Sequence, residues 1–196
     1  MNASFFKRLF AFLIDSVIVS IIVSIITMGF TNTKYKESYQ EYEDLLNKYI
    51  SQEITMEEYM NSSPGIYYDL QQSSVVISIL TVALSIAYYI VFQYMNRGQT
   101  LGKKILGIRV VEKNRDPSLK AIILRTIIIQ SMLSGILDIV LLYVLNQSSY
   151  FYSTEIISLL EMTFIFVSAL FILYRKDKLG LHDMIAHTQV IDERGE

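Results

Sequence analysis

The residues best placed to do chemistry are carboxylates that interrupt apolar segments. Asp15, Asp138 and Glu161 are each the sole charged residue of a segment about 20 residues long, the length that crosses a bilayer. A charged carboxylate inside a lipid-embedded helix costs at least a few kcal/mol unless it is protonated, hydrated or paired. These residues therefore indicate either proton or cation binding or ion pairs that hold helices together.

Arg8 and Asp15 are seven residues apart, which is two helical turns, so both lie on one face of the first helix. Asp15 is then about 9–10 Å deeper in the membrane than Arg8. Candidate partners for Asp15 are Arg125, which precedes the third apolar segment, and the neighbouring Lys103 and Lys104. A structural salt bridge and a proton or cation relay both remain open.

Asp138 and Glu161 are expected at similar depth, roughly 8–10 Å below the outer ends of their helices. Two close carboxyls in a low dielectric share a proton or hold a cation. The alternative is that each pairs independently with Gln130, Ser134 or Ser158.

The amino-acid composition indicates what kind of structure positions these carboxylates. Of the 196 residues, 52% are hydrophobic and only 18% are charged, and the mean hydropathy is +0.37. A soluble domain has roughly a quarter of its residues charged, so much of this chain belongs in lipid. The net charge of −2 argues against a nucleic-acid partner, and the lack of cysteine excludes disulfides and thiolate metal sites.

Four segments are long and apolar enough to span a bilayer: residues 9–30, 74–95, 126–145 and 156–174. The first is longer than the apolar region of a signal peptide, and we expect it to be retained as a helix. The sequence therefore predicts an all-α membrane protein, with residues 1–196 forming one four-helix transmembrane bundle. Small and hydroxylated residues recur at helical spacing in three of the segments, which favours tight packing of the helices and is also compatible with a polar pathway.

The distribution of bases predicts the orientation. Residues 31–73 hold three of the seventeen basic residues and eight acidic ones, and residues 146–155 hold no base. Because basic residues stay on the cytoplasmic side, we expect both termini in the cytoplasm and residues 31–73 outside the cell. Helical spacing of tyrosines and a capping box at Thr55 and Glu58 predict two short external helices, ended by Pro64 and Gly65. They could form a solvated acidic cap or a surface that docks a partner.

The segment after the second apolar helix superficially resembles a phosphate loop between Gly98 and Lys104. It lacks the spacing and the hydroxyl residue that such a loop needs. We interpret it as an amphipathic interfacial segment, in which apolar residues including Ile108 enter the headgroup region and Lys103, Lys104 and Arg109 contact anionic lipid.

Two short β-branched segments, 108–112 and 188–192, are bounded by turn residues or the chain end. We expect them to pair as a small cytoplasmic sheet. That pairing would bring His182 and Asp183 towards Arg8.

Three separated motifs carry a family resemblance. They are RLFAFLID at residues 8–15, GQTLGKKILGIRVV at residues 98–111 and LHDMIAHTQV at residues 181–190. In this order they resemble the RDD family of bacterial membrane proteins, and the arginine and two aspartates that name the family would be Arg8, Asp15 and Asp183. The chain departs from the family at His187, where members often have glycine, so the tightness of that turn stays open.

The resemblance implies an integral membrane protein of the bacterial cell membrane. A few members are thought to act in transport, and cation/proton exchange has been attributed to at least one. For this chain we expect transport of a monovalent cation or proton, with a homo-oligomer needed to enclose a pathway. The rival hypothesis is a non-transporting accessory or scaffold protein that docks a partner.

No enzymatic site is expected, because the sequence shows no nucleophile, base and acid in a recognisable order. We also expect no cofactor and no metal. His182 and His187 are five residues apart, which places them on different faces of a helix.

The orientation can be tested with reporter fusions. A reporter fused after Ser63 should read as external and one fused after Asn114 as cytoplasmic, because of the uneven distribution of bases. Alkaline phosphatase and green fluorescent protein fusions measure the two sides, and the opposite pair of signals would contradict every depth inferred above.

Overall fold

The computed structural model describes residues 1–30 and 32–194, and the chain there is mostly helical with one two-stranded sheet. In chain order the elements are α1 (Phe5–Thr27), α2 (Thr33–Ile50), α3 (Met56–Ser73), α4 (Val75–Ile86), α5 (Gln93–Met95), α6 (Leu101–Leu106), β1 (Ile108–Glu112), α7 (Leu119–Ile129), α8 (Met132–Val144), α9 (Gln147–Tyr174), α10 (Leu181–Ile185) and β2 (Thr188–Asp192).

Three continuous helical stretches of the described chain are long and apolar enough to cross a membrane: Phe5–Phe30, Val75–Met95 and Gln147–Tyr174. The pair α7 and α8 also passes this test together, but it is bent by 68° at a short break. The predicted helical membrane protein is confirmed, and the described residues hold three candidate spans, or four if the bent pair is one span.

The third predicted span, residues 126–145, is wrong as a continuous helix. The helix begins at Leu119 and breaks after Ile129, and Ser131 has a left-handed backbone with φ of 52°. A residue in that conformation cannot continue a right-handed helix. The Ser131 carbonyl accepts the Gly135 amide at 3.1 Å, so the hydrogen bonding of α8 starts at the break.

The second span is continuous, but residues Ala87–Phe92 form a wider π-helical turn between α4 and α5. Such turns insert one residue and shift the side chains that follow. Tyr88 and Tyr89 lie in this turn.

α2 and α3 form an antiparallel hairpin, which we call the acidic cap. The capping box at Thr55 and Glu58 is confirmed. The predicted helix end at Pro64 is wrong, because α3 continues through Pro64 to Ser73. An interior proline costs a helix about 3 kcal/mol, and packing before and after Pro64 offsets this cost. Before it, Tyr59 stacks on Tyr49 of α2 at 4.8 Å, and after it, Tyr67 stacks on Tyr150 at 6.0 Å.

The helix that contains the fourth predicted span begins at Gln147, well before residue 156. Asn146 caps this helix by accepting the Ser149 amide at 2.9 Å. The extra turns carry Tyr150, whose ring stacks on Tyr67 of α3 at 6.0 Å. The acidic cap is thus joined to the last span.

The predicted sheet is confirmed: β1 and β2 are antiparallel, with Val110 opposite Val190. The first residues of the chain lie along the free edge of β2, where Ala3 donates its amide to the carbonyl of Val190 at 2.8 Å. Ala3, Ala11, Ile108, Val110 and Val190 form a buried apolar cluster. We call the layer formed by the sheet, α6 and α10 the basic end.

Candidate functional site

Asp15 is 1% exposed, and its carboxylate accepts three hydrogen bonds. The donors are the Tyr88 hydroxyl at 2.6 Å, the Thr100 hydroxyl at 2.5 Å and the Gly102 amide at 2.7 Å. All three donors are neutral, and they come from the second span and from α6. The expected partners Arg125, Lys103 and Lys104 are not among these donors.

Local sequence explains why α6 reaches Asp15. Thr100 caps the helix, because its hydroxyl oxygen accepts the Lys103 amide at 3.5 Å while donating to Asp15. Gly102 faces α1 so closely that an added Cβ would lie 2.9 Å from the carboxyl carbon of Asp15 and would collide with the carbonyl of Ala11. Only glycine allows this approach. Tyr88 completes the contact by accepting the amide of Leu101 at 3.2 Å.

The interfacial interpretation of this segment is therefore only partly right. Ile108 is 1% exposed and packs in the buried cluster of the basic end, because β1 turns it inward. Leu101 and Ile105 do point outward. Lys104 is exposed, whereas the Arg109 guanidinium is paired with Asp116 at 3.1 Å. Lipid contact by Lys103, Lys104 and Arg109 stays a prediction.

Asp183, the third residue of α10, forms a second buried centre. It is fully buried and its carboxylate pairs with Arg8 of α1 at 2.7 Å and with Arg125 of α7. It also accepts the Gly180 amide at 3.1 Å, which starts α10. Burial alone would raise the pKa of Asp183, but the guanidinium charges of Arg125 and Arg8 outweigh burial and hold that pKa well below its usual range.

His182 lies beside this ion triad and is 2% exposed. Its Nδ1 lies 2.7 Å from the hydroxyl oxygen of Ser168, which also accepts the Leu181 amide. That network assigns Nδ1 as the acceptor and directs Nε2–H towards Asp183, 3.5 Å away. Burial and the charge of Arg125 lower the pKa of His182 to about 3, so the ring is neutral at pH 7.

A cavity of about 70 Å³, which we call the inner cavity, lies between the two centres. Its lining includes Arg8, Asp15, Lys103, Arg125, Gln130 and His182. The structure thus gathers residues from four separate stretches of the chain around one space. Lys103 is half-buried, and burial together with the charge of Arg125 lowers its pKa to about 8.

Asp138 and Glu161 have different surroundings. Glu161 accepts the Ser134 hydroxyl at 2.7 Å and faces a space beside α8 and α9 that is lined mainly by apolar residues. Asp138 lines a separate cavity next to α4, and its Oδ1 is shielded from solvent without a hydrogen-bond partner among the described residues. The independent pairing of Glu161 with Ser134 is thus present, and sharing of a proton with Asp138 stays a prediction.

The two histidines are not brought together, since His187 is exposed in the turn between α10 and β2. His187 has φ of 53°, the left-handed conformation that glycine adopts most readily. The turn is therefore as tight as a glycine would make it, and the histidine carries the strain. Within residues 1–30 and 32–194 no three His, Asp or Glu side chains are grouped to hold a metal.

Sequence reasoning missed Tyr88, Thr100, Gly102 and Ser168 as site residues. Thr100 and Gly102 are in the motif that carries the family resemblance, and a threonine two residues before a glycine at a helix start was an available signal. For Tyr88 and Ser168 the sequence offers no signal, because the π turn and the position of α10 bring them to the site.

Coupling within the ion triad can be measured with double-mutant cycles. Asp183→Ala should cost about 3–5 kcal/mol, because it leaves two buried guanidinium groups unmatched. Combined with Arg8→Ala or Arg125→Ala, the loss should be less than the sum of the single losses by about 1–3 kcal/mol. Unfolding in detergent measures these energies. Lys104→Ala is the control, since Lys104 is exposed, and additivity for both arginines would contradict the triad.

The pKa of His182 predicts a pH dependence of stability. An unfolded chain binds a proton at His182 below about pH 6.5, whereas the folded protein binds it only near pH 3. Unfolding therefore takes up a proton between these values, and stability falls as the pH is lowered below 6.5. From pH 7.5 to 5.0 the loss is on the order of 1–2 kcal/mol. Asp183 adds to the loss only below about pH 4.

Melting temperatures of wild type and His182→Gln across this range test the assignment. Between pH 7.5 and 5.0 the melting temperature of His182→Gln should fall much less than that of wild type. His187→Gln is the matched control, because that ring is exposed, and it should keep the full decrease. If the melting temperature of His182→Gln falls as much as that of wild type, the pH dependence belongs to another titratable group.

Comparisons with known proteins agree with the motifs. A search of curated proteins and a search of solved structures each returned no significant match. The family model described as RDD family matches residues 2–187, a range that holds Arg8, Asp15, Asp183 and every helix of the bundle. The chain therefore belongs to the RDD family.

Proposed function

We propose that the protein transports a monovalent cation across the bacterial cell membrane in exchange for protons, with Asp15 as the residue that binds the proton or the cation. In this proposal α7 and α8 form one bent span, four spans cross the membrane, and the basic end and both termini face the cytoplasm. The carrying observation is that Asp15 lines the inner cavity and is held by neutral donors alone.

The donors of Asp15 favour this role over that of a fixed ion pair. A carboxylate paired with arginine, as Asp183 is, keeps its charge at every physiological pH. Asp15 has no directly bonded counter-charge, and Lys103, which lines the same cavity, attracts it without bonding to it. A proton or cation can therefore bind Asp15 without breaking an ion pair. The inner cavity, about 70 Å³, has room for a few water molecules beside Asp15.

Irregular helix geometry next to the inner cavity is a second support. The cavity is lined by Tyr89 from the π turn and by Gln130 at the break between α7 and α8. Backbone that leaves the α-helix at membrane depth occurs where it is buried in protein or lines a cavity, and transporters place their sites at such points. Asp138 and Glu161 would be the outer protonatable residues, and a homodimer would enclose a pathway that one small bundle cannot.

Exchange can be measured on purified protein in liposomes that carry an imposed pH gradient and a trapped pH dye. Addition of Na⁺, K⁺ or Li⁺ should dissipate the gradient in wild type. Asp15→Asn should lower the initial rate at least tenfold, because an amide binds neither a proton nor a cation. Asp177→Asn is the matched control, since this carboxylate pairs with Arg175 on the exposed surface, and it should keep the wild-type rate.

The same experiment decides against the rival function. If wild type dissipates no gradient with any of the three cations, exchange is wrong and the accessory or scaffold function is favoured. If Asp15→Asn keeps the wild-type rate but melts at lower temperature, Asp15 only stabilises the contact between α1 and α6.

A further inference from the structure

A cavity of about 370 Å³, which we call the outer cavity, lies where the acidic cap meets the spans. Tyr35 and Tyr39 of α2 and Tyr150 of α9 form aromatic parts of its wall, and Asp138 of α8 is its carboxylate. α4 adds Ser78 and Thr81. Its size is in the range of small-molecule sites.

The carboxylate of Asp138 lacks a donor for one oxygen. Its Oδ1 is shielded from solvent and accepts no hydrogen bond from the described residues. Ser134, one turn away on α8, donates to Glu161 instead. Opposite charges attract more strongly in a partly enclosed apolar space than in water, so a cationic ligand in the outer cavity would be stabilised by the Asp138 carboxylate on its wall.

Two hydroxyl groups of this wall already donate within their own helices. Thr81 donates to the carbonyl of Ile77 at 2.8 Å, and Ser74 donates to that of Gln71 at 3.2 Å. Besides the side chains of Ser78 and Gln71, the wall offers a ligand a carboxylate together with aromatic rings. That combination recognises organic ammonium groups through ion pairing and cation–π attraction.

The aromatic wall is held in place by the fold. Tyr150 is 1% exposed, stacks on Tyr67 at 6.0 Å and meets the edge of Tyr68 at 5.6 Å. The Tyr68 hydroxyl in turn donates to the carbonyl of Leu142 at 3.0 Å. Tyr35 and Tyr39 are a tilted pair at 6.1 Å, and Tyr39 is 43% exposed, so these two rings flank the opening.

Size and charge select among cations. A bare metal ion needs several oxygen ligands at 2.0–2.6 Å, and no three acidic or histidine side chains of the described chain are grouped to supply them. A volume of about 370 Å³ instead suits a cation with carbon substituents. The acidic cap, with eight acidic and three basic residues between positions 31 and 73, favours cations over anions near the opening.

We propose that the outer cavity binds a small organic ammonium ion, with Asp138 as the counter-ion and Tyr35 and Tyr39 as the accessible aromatic rings, while Tyr150, which is 1% exposed, belongs to the supporting wall. The ammonium group comes either from a free amine or from the headgroup of a membrane lipid. This site does not depend on cation/proton exchange, because binding at equilibrium needs no gradient.

Choline is the probe, and its neutral isostere 3,3-dimethyl-1-butanol is the matched ligand without the charge. Wild-type protein in a sugar detergent should show a saturable rise in melting temperature with choline chloride, measured against sodium chloride at equal concentration. The isostere should bind at least tenfold more weakly. Equal binding of choline and the isostere, or no saturable effect of choline, would overturn the proposal without any variant.

Variants then assign the counter-ion. Asp138→Asn should weaken choline binding at least tenfold, whereas Asp177→Asn, an exposed carboxylate paired with Arg175 away from this cavity, should leave it unchanged. Tyr39→Leu, at the exposed opening, should weaken it several-fold. If Asp138→Asn binds as wild type does, the site assignment is wrong.

The two sources of the ammonium group are separated in lipid nanodiscs. If the ligand is a headgroup, phosphatidylcholine discs should stabilise wild type more than phosphatidylglycerol discs, and they should abolish the effect of free choline. If the ligand is a free amine, choline should act equally in both discs. Asp138→Asn should show neither the stabilisation by phosphatidylcholine nor that by free choline. If either stabilisation persists in this variant, the proposal is contradicted.

Discussion

A carboxylate removed from water has to be matched by donors, and the basic end of this bundle is organised around two such groups. Asp183 joins α10 to α1 through Arg8 and to α7 through Arg125. Asp15 joins α1 to the second span through Tyr88 and to α6 through Thr100 and Gly102. Segments far apart in the chain are thereby fixed in one layer, and the sheet and its apolar cluster pack against them.

The two carboxylates are stabilised by different kinds of group. Asp183 is surrounded by permanent charges and stays ionised, so its contribution is structural. Asp15 accepts hydrogen bonds from neutral donors and borders a small cavity, so it is not tied to an arginine. At the other end Asp138 lines a cavity whose wall carries tyrosine rings, and Oδ1 of this carboxylate has no hydrogen-bond donor among the described residues.

Much of the fold could be predicted from local patterns. Apolar segment length predicted the three continuous apolar helices, β-branched segments beside turn residues predicted the sheet, and Thr55 with Glu58 predicted the start of α3. The predictions failed where distant packing overrides local preference. Pro64 does not end α3 because stacked tyrosines hold the helix on both sides, and the break at Ser131 has no proline or glycine to announce it.

The candidate site was likewise predictable where local sequence determines it and unpredictable where distant packing does. Arg8, Asp15 and Asp183 were found from the family motif, and Arg125 was recognised as a candidate ion partner. Sequence alone left open which carboxylate it pairs with, because which buried acid an arginine reaches depends on where α10 packs, and the structure pairs it with Asp183. The neutral donors of Asp15 were missed, since the π turn sets the direction of Tyr88 and the close approach of Gly102 is a property of two helices and not of one.

Hydrogen exchange of residues 98–107 tests most directly whether the Asp15 carboxylate holds α6 on the bundle. Asp15→Ala removes the acceptor of the Gly102 amide and of two hydroxyl groups. Exchange in the peptide that covers residues 98–107 should then accelerate at least tenfold, while peptides that cover β1 and β2 keep wild-type exchange. Asp177→Ala serves as the control and should change neither. Unchanged protection of residues 98–107 in Asp15→Ala would contradict the account.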